Sequence, residues 1–218
     1  MPQNPLISRR ERLVSARLCV LVDGGSSVAA CAEQVAAIAA AGAGLIQLRD
    51  KSLDDATLLE RAIAAVGAAR RHGALVVIND RPDIAVAAAA DGVHLGAGDL
   101  PVLAARRVVG SARLIGRTAH CFAEATAAMA DAADYLGIGP CFPSDTKTFA
   151  SFAPRDFLQA VAAEIALPAF AIGGITPQRL PELAALGLTR VAVAAGVTKA
   201  PDPAAAVAAF HDALSRTS

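Results

Sequence analysis

At 218 residues, 55% of them hydrophobic, the chain can build one large domain, and its 20 basic and 20 acidic side chains cancel. Balanced charge, no tryptophan and 4% aromatic residues argue against a nucleic-acid binder, which needs a basic face and stacking platforms, and against an anionic-membrane surface binder. No run reaches the roughly 18 uncharged apolar residues of a membrane span.

The first segment, 1–15, reads as an N-terminal extension to a domain over 16–218. Within it "SRRERLV" (8–14) loosely echoes a twin-arginine signal, but Arg17 intrudes and "LCVLV" stops at Asp23, so no export h-region follows. The four cysteines, Cys19, Cys31, Cys121 and Cys141, have neither CxxC nor Cys/His ligand spacing, and three sit in apolar runs. A reduced, cytoplasmic compartment is expected.

Short β-branched runs then alternate with alanine-rich helical segments. Strands are predicted over 17–22, 44–49, 74–79, 92–96, 113–118, 135–139, 169–174 and 190–195. Between the second and third, "DDATLLERAIAAVGAARRHG" (54–73) repeats Leu58, Leu59, Ala62, Ile63 and Val66 at helical spacing. Gly42, Gly73, Gly110 and Gly187 follow helical patterns, where a residue of positive φ ends a helix. Pro82, Pro101, Pro154 and Pro177 stand where helices begin, a position that needs no N–H. Eight strand–helix repeats without a composition break predict an α/β chain folded as a single (βα)8 TIM barrel. A doubly wound open sheet is the alternative, but the first turn, "VDGGSS" (22–27), lacks the GxGxxG spacing.

In such a barrel the active site gathers where strands end. The second strand hands over Gln47, Arg49 and Lys51 on one side of the chain, and fixed cations there suit a phosphate or diphosphate. The third ends on Asn79 and Asp80, and "GAGDLP" (96–101) after the fourth brings Asp99. Two carboxylates on adjacent strand ends fit a Mg2+ site completed by water and substrate, and equally fit helix N-caps; spacing leaves both open. The fifth strand leads to Thr118, His120 and Cys121, and the sixth into "GPCFPSDTKTFASF" (139–152) with Lys147. Gly173 and Gly174 after the seventh strand allow backbone to approach a ligand, and the small residues of "AAGVT" (194–198) after the eighth complete a candidate phosphate cradle. His94 reads as structural, His72 and His211 as surface residues in helices, and His120 as either a satisfied polar residue or a proton carrier. Two anionic sites on one rim point to joining or exchange between two phosphorylated small molecules.

"IQLRDK" (46–51), "VINDRPDIAVAAAADGVHLGAGDLP" (77–101), "ADYLGIGPCFPSDTK" (133–147) and "AIGGIT" (171–176), in this order, resemble the thiamine-phosphate synthase family from about Arg17 to the last helix. The resemblance implies a (βα)8 transferase that couples a hydroxymethylpyrimidine diphosphate to a thiazole phosphate and releases diphosphate, with a possible homodimer and Mg2+ as the cofactor. It implies that Gln47, Arg49, Lys51 and Asn79 bind the pyrimidine diphosphate, and that Asp80 and Asp99 hold Mg2+. Lys147 would reach the diphosphate, with Arg49 and Lys51 stabilising charge beside it. Ser144, Asp145, Thr146, Gly173, Gly174, Ala194 and Ala195 would surround the thiazole phosphate. Departures from the family pattern are Cys121 in place of a serine that contacts the diphosphate, "SDT" (144–146) in place of "TPT", and Ala194-Ala195 in place of Val-Ser. Each lost hydroxyl removes a hydrogen bond worth about 1 kcal/mol. The related thiazole tautomerase, whose fifth strand resembles "GRTAH" (116–120), and a non-catalytic thiazole phosphate-binding barrel are the alternative readings.

Overall fold

The computed structural model describes residues 8–144 and 151–217. In chain order the strands are β1 (Leu18–Val22), β2 (Leu45–Leu48), β3 (Leu75–Asn79), β4 (Gly92–Leu95), β5 (Leu114–Ala119), β6 (Tyr135–Ile138), β7 (Ala169–Ile172) and β8 (Val191–Val193). All pair in parallel with their sequence neighbours, and β8 closes on β1. The barrel prediction therefore holds and the open sheet is excluded. A helix precedes β1, α1 (Arg9–Ser15), and the strands are then separated by α2 (Val28–Ala40), α3 (Asp55–Arg70), α4 (Pro82–Ala87), α5 (Val102–Val109), α6 (Phe122–Ala130) and α7 (Arg155–Glu164). A 3₁₀ turn (Pro177–Arg179) runs into α8 (Leu180–Ala184), and α9 (Ala195–Thr198) and α10 (Pro203–Arg216) follow β8.

Strand alternation sorts the apolar residues into two cores. Val20, Ile46, Val76, Val93 and Ile115 face the helices, where alanines such as Ala62, Ala65 and Ala69 let α3 lie close. Cys19, Leu45, Leu75, Val77, Leu114, Tyr135, Phe170 and Ala192 fill the barrel interior. The Tyr135 ring needs a glycine across from it: a Cβ on Gly116 would lie 2.1 Å from that ring.

The helix α1 was not anticipated by the sequence reading. Its start carries a capping box, in which Ser8 Oγ accepts from the Glu11 N–H and Glu11 Oε2 from the Ser8 N–H. It closes the N-terminal end of the barrel, where Leu13 is 1% exposed and joins the interior cluster. Arg9 Nε pairs with Asp91 Oδ1 at 2.9 Å and Arg10 Nε with Asp134 Oδ1 at 2.7 Å. Asp91 and Asp134 accept in turn from the N–H groups of Val76 and Ile115, so α1 is tied to the ends of the strands themselves. A hollow of about 520 Å³ lined by Arg10, Leu13, Arg106 and Pro168 lies at this end, away from the strand C-termini.

Candidate active site

The C-terminal ends of β2 and β3 form the first part of the rim. Gln47 points into the barrel, 5% exposed, and its Nε2 donates to Asn79 Oδ1 at 2.7 Å. An amide pair of this kind, with Gln47 buried and Asn79 half-buried, is held in one orientation and leaves the Gln47 carbonyl and Asn79 amino group for a ligand. Arg49 and Lys51 continue beyond β2 and are exposed. The Arg49 N–H still donates to the Val22 carbonyl, so its backbone is fixed while its guanidinium is available.

Lys51 Nζ lies 2.9 Å from Asp80 Oδ2. Asp80 follows β3 with φ of +63°, a conformation rare outside glycine, and its N–H donates to the His94 carbonyl on β4. Asp99 reaches the same place from the loop after β4, where its Oδ2 accepts from the Gly96 N–H at 2.6 Å. The two carboxyl groups are within hydrogen-bonding reach of each other and titrate as a pair. Burial opposes ionisation at Asp80, but the Asp99 carboxyl, Lys51 and Arg49 outweigh it and hold Asp80 below the usual carboxylate range. Burial and the Asp80 charge push Asp99 above it. Neither carboxylate caps a helix: the N-caps of α4 and α5 are Arg81 and Pro101, without a side-chain bond. Two close carboxyl groups, the ionisation of one opposed by the charge of the other, are a donor set a divalent cation fits, the remaining positions going to water and a ligand's oxygens. Among the described residues no group of three or more His, Cys, Asp or Glu is placed to hold a metal ion.

Below this rim lies a polar layer. His94 is 8% exposed, with Nδ1 3.2 Å from the Tyr135 hydroxyl and Nε2 3.0 Å from Thr118 Oγ1. Burial pushes its pKa down to about 4, Arg117 and Arg49 adding to the effect and Asp80 opposing it. The imidazole is neutral and fully bonded, in keeping with a structural role. His120, beyond β5, donates from Nδ1 to the Gly139 carbonyl at 2.8 Å, which leaves Nε2 as its free nitrogen. Cys121 is exposed and begins α6 without a side-chain cap bond. His211 lies in α10 and bonds the Gly42 carbonyl, whereas His72 falls in the turn after α3 rather than in a helix, because the helix stops at Arg70.

The opposite arc of the rim is formed after β6, β7 and β8. The Cys141 and Phe142 N–H groups donate to the Ile172 and Gly173 carbonyls, so the segment after β6 packs along the end of β7. Gly173 and Gly174 have φ of +100° and +60°, and a Cβ on Gly174 would lie 2.1 Å from the Pro143 carbonyl oxygen. Their first task is thus to admit the neighbouring loop, which carries Ser144 to the rim. Arg179, which the sequence reading passed over, donates to the Pro143 and Gly174 carbonyls and stacks 4.8 Å over the Phe142 ring. Ala194 precedes α9, and Ala195 opens it, presenting N–H groups that have no partner within the helix. Asp145, Thr146 and Lys147 lie outside the described residues.

Two further residues were not legible as site components. Asp50, between Arg49 and Lys51, accepts from the Gly24 N–H at 3.1 Å and from the N–H and hydroxyl of Ser52, which lowers its pKa and ties the loops after β1 and β2 together. Arg81 turns to Asp55 and Asp83, and those carboxylates raise its already high pKa. Ser52 and Asp83 are local partners, but Gly24 and Asp55, which tie these residues to neighbouring loops, are brought near only by the barrel.

A closed (βα)8 barrel whose rim carries cations, a carboxylate pair and a glycine-built loop is a phosphate-handling enzyme scaffold. Residues 18–197 match the family described as Thiamine monophosphate synthase, and the chain belongs to that family, a family of transferases. It is 40% identical over 222 residues to the thiamine-phosphate synthase of Mycobacterium sp. (strain KMS), covering 97% of this chain and 98% of that one. The thiamine-phosphate synthase of Rhodopirellula baltica is 43% identical over 193 residues, 86% of this chain, which spans about half (52%) of that longer relative. Among solved structures, thiamine phosphate pyrophosphorylase from Pyrococcus furiosus superposes with a TM-score of 0.81 at 28% identity, over 95% of this chain and 98% of that one.

Proposed function

We propose that this chain is a thiamine-phosphate synthase that couples 4-amino-5-hydroxymethyl-2-methylpyrimidine diphosphate with a thiazole phosphate, releasing diphosphate. The observation that carries the reading is the cluster of Lys51, Asp80 and Asp99 beside the half-buried Gln47–Asn79 pair, since it offers charge to a diphosphate and directional bonds to a heterocycle within one arc. Asp80 and Asp99 would hold Mg2+, which when bound neutralises diphosphate oxygens and fixes them in place.

The chemistry asked of the protein is electrostatic. The C–O bond of the pyrimidine methylene breaks, its electron pair leaves with the diphosphate, and the thiazole nitrogen lone pair forms the new C–N bond. Arg49, Lys51 and Lys147 balance the charge that accumulates on the departing group. The Gln47–Asn79 pair orients the pyrimidine, and the rim after β6 to β8, with Ser144, Gly174 and Ala195, holds the thiazole phosphate in line. No protein nucleophile is needed. A cytoplasmic location and a paired assembly accompany this reading; no helix among the described residues is long and apolar enough to cross a membrane.

One observation favours a second reading. The Nδ1 bond of His120 leaves its Nε2 able to carry a proton, as a thiazole tautomerase requires. The carboxylate pair and Lys51 would then have no task, so coupling is preferred. The test is to supply purified protein with both substrates and Mg2+ and follow thiamine phosphate by fluorescence after oxidation. Product requiring both substrates supports the synthase; isomerised thiazole phosphate without product would favour the tautomerase.

A further inference from the structure

Asp80 occupies a left-handed backbone conformation, φ +63°, which aspartate visits more readily than most residues but which still carries strain. One support is visible: its N–H donates to the His94 carbonyl at 2.8 Å. The next residue anchors the chain that follows. Arg81 Nε donates to Asp83 Oδ1 at 2.9 Å and its Nη2 to Asp83 Oδ2 at 2.6 Å, while Nη1 and Nη2 take the two oxygens of Asp55. Asp83 lies in the first turn of α4, and Asp55 is the first residue of α3, directly after the loop that carries Arg49 and Lys51. A single guanidinium therefore crosses the seam between the loops after β2 and β3. The Lys51–Asp80 pair spans that same seam.

The partners are too wet for this network to serve mainly as global stabilisation. Side-chain exposure is 31% for Arg81, 75% for Asp55 and 58% for Asp83, a regime in which ion pairs contribute little to folding. What a planar fork bonded on two sides does supply is geometry. We propose that Arg81 is a positioning residue: it holds the Asp80 carboxylate and the Lys51 ammonium in fixed register, so that a divalent cation with its diphosphate meets a preset site. This rests on the reading of Asp80 and Asp99 as the metal pair.

The probe is Mn2+ titrated into the protein with inorganic diphosphate and followed by electron paramagnetic resonance. Wild type is compared with Arg81→Lys, which keeps the charge and loses the fork, and with Asp55→Ala, which removes both acceptors and cuts the link to the β2 loop. Both variants are expected to bind Mn2+ roughly tenfold more weakly, with melting temperatures close to wild type. In turnover, KM for the pyrimidine diphosphate should rise while KM for the thiazole phosphate stays unchanged. Unaltered Mn2+ affinity in both variants, or weakening matched by a general loss of folding in both, overturns the positioning role. Failure of wild type itself to bind Mn2+ with diphosphate overturns the metal reading on which it stands, and the two failures are told apart by the wild-type titration alone.

Discussion

Gln47 Nε2 and Asn79 Oδ1 meet at 2.7 Å inside the barrel mouth, one residue from β2 and one from β3, with Gln47 5% exposed. Because each amide fixes the other, both are presented to a ligand in one flip state. Gln47→Leu would leave the Asn79 carbonyl side unsatisfied and remove a ligand contact. The expected result is a KM for the pyrimidine diphosphate raised about tenfold or more, consistent with roughly 1–3 kcal/mol for a lost buried bond, at nearly constant KM for the thiazole phosphate. Steady-state kinetics with each substrate varied in turn would decide it; a rise in the thiazole KM alone would reassign the pair.

Asp80→Asn keeps the shape and the tolerance for positive φ, which asparagine shares, while removing the charge. Folding should be retained, and kcat should fall by about a hundredfold or more, the scale on which a group aimed at transition-state charge acts. Thermal unfolding alongside kinetics separates this from a folding defect. Activity within a few-fold of wild type would remove Asp80 from the site.

His94 gives the chain a defined acid response. Burial lowers its pKa from 6.5 to about 4, so as pH falls the unfolded chain takes up the proton before the folded one. The corresponding stability is complete above about pH 6.5 and is lost progressively as pH falls towards 4, amounting to at most about 3 kcal/mol. Urea unfolding at pH 7 and pH 4.5 should show this loss in wild type. In His94→Gln, which cannot titrate, the difference should shrink; an equal drop in both proteins would place the acid sensitivity elsewhere.

Leu13→Ala tests whether α1 belongs to the barrel. Leu13 is 1% exposed within the interior cluster, and truncation there should cost about 2–4 kcal/mol while leaving kcat at low temperature unchanged, since the site is at the other end. Denaturant unfolding would measure it. A loss below 0.5 kcal/mol, on the order of a surface substitution, would show α1 to be dispensable.

Cys121→Ser supplies, at this exposed position before α6, the hydroxyl that the resemblance to the family implies there. A regained hydrogen bond of about 1 kcal/mol corresponds to roughly a fivefold lower KM for the pyrimidine diphosphate. No change would mean that the thiol position does not touch that substrate.

Much of this was readable from periodicity. The predicted strand 74–79 is β3 (Leu75–Asn79), and the prediction over 169–174 overran β7 (Ala169–Ile172) by the two glycines. Those glycines also show the limit of motif reading: "GG" suggests an approach for ligand but carries no sign that both positions also admit the Pro140–Pro143 segment. Asp80 and Asp99 could be paired in advance because adjacent parallel strands must bring their ends together. The cross-loop partners of Arg81 and Asp50 could not, because Asp55 lies 26 residues from Arg81 and Gly24 26 from Asp50, and neither separation has a local signature. α1 escaped for a different reason: its capping box was present in "SRRE" (8–11), but the segment reads as a loose twin-arginine echo within an N-terminal extension, and the carboxylates that receive its arginines, Asp91 and Asp134, lie far along the chain. Lys147, Asp145 and Thr146 lie outside the described residues, so their expected roles rest on the resemblance.

The most direct measurement is the rate of thiamine phosphate formation as Mg2+ is titrated, in wild type, Asp80→Asn and Asp99→Asn, with both substrates saturating. The account requires a rate that rises from zero with Mg2+, is abolished by EDTA and restored by excess metal, and demands far more Mg2+ in each variant. Undiminished product formation in EDTA, or variants that saturate at the wild-type Mg2+ concentration, would contradict it.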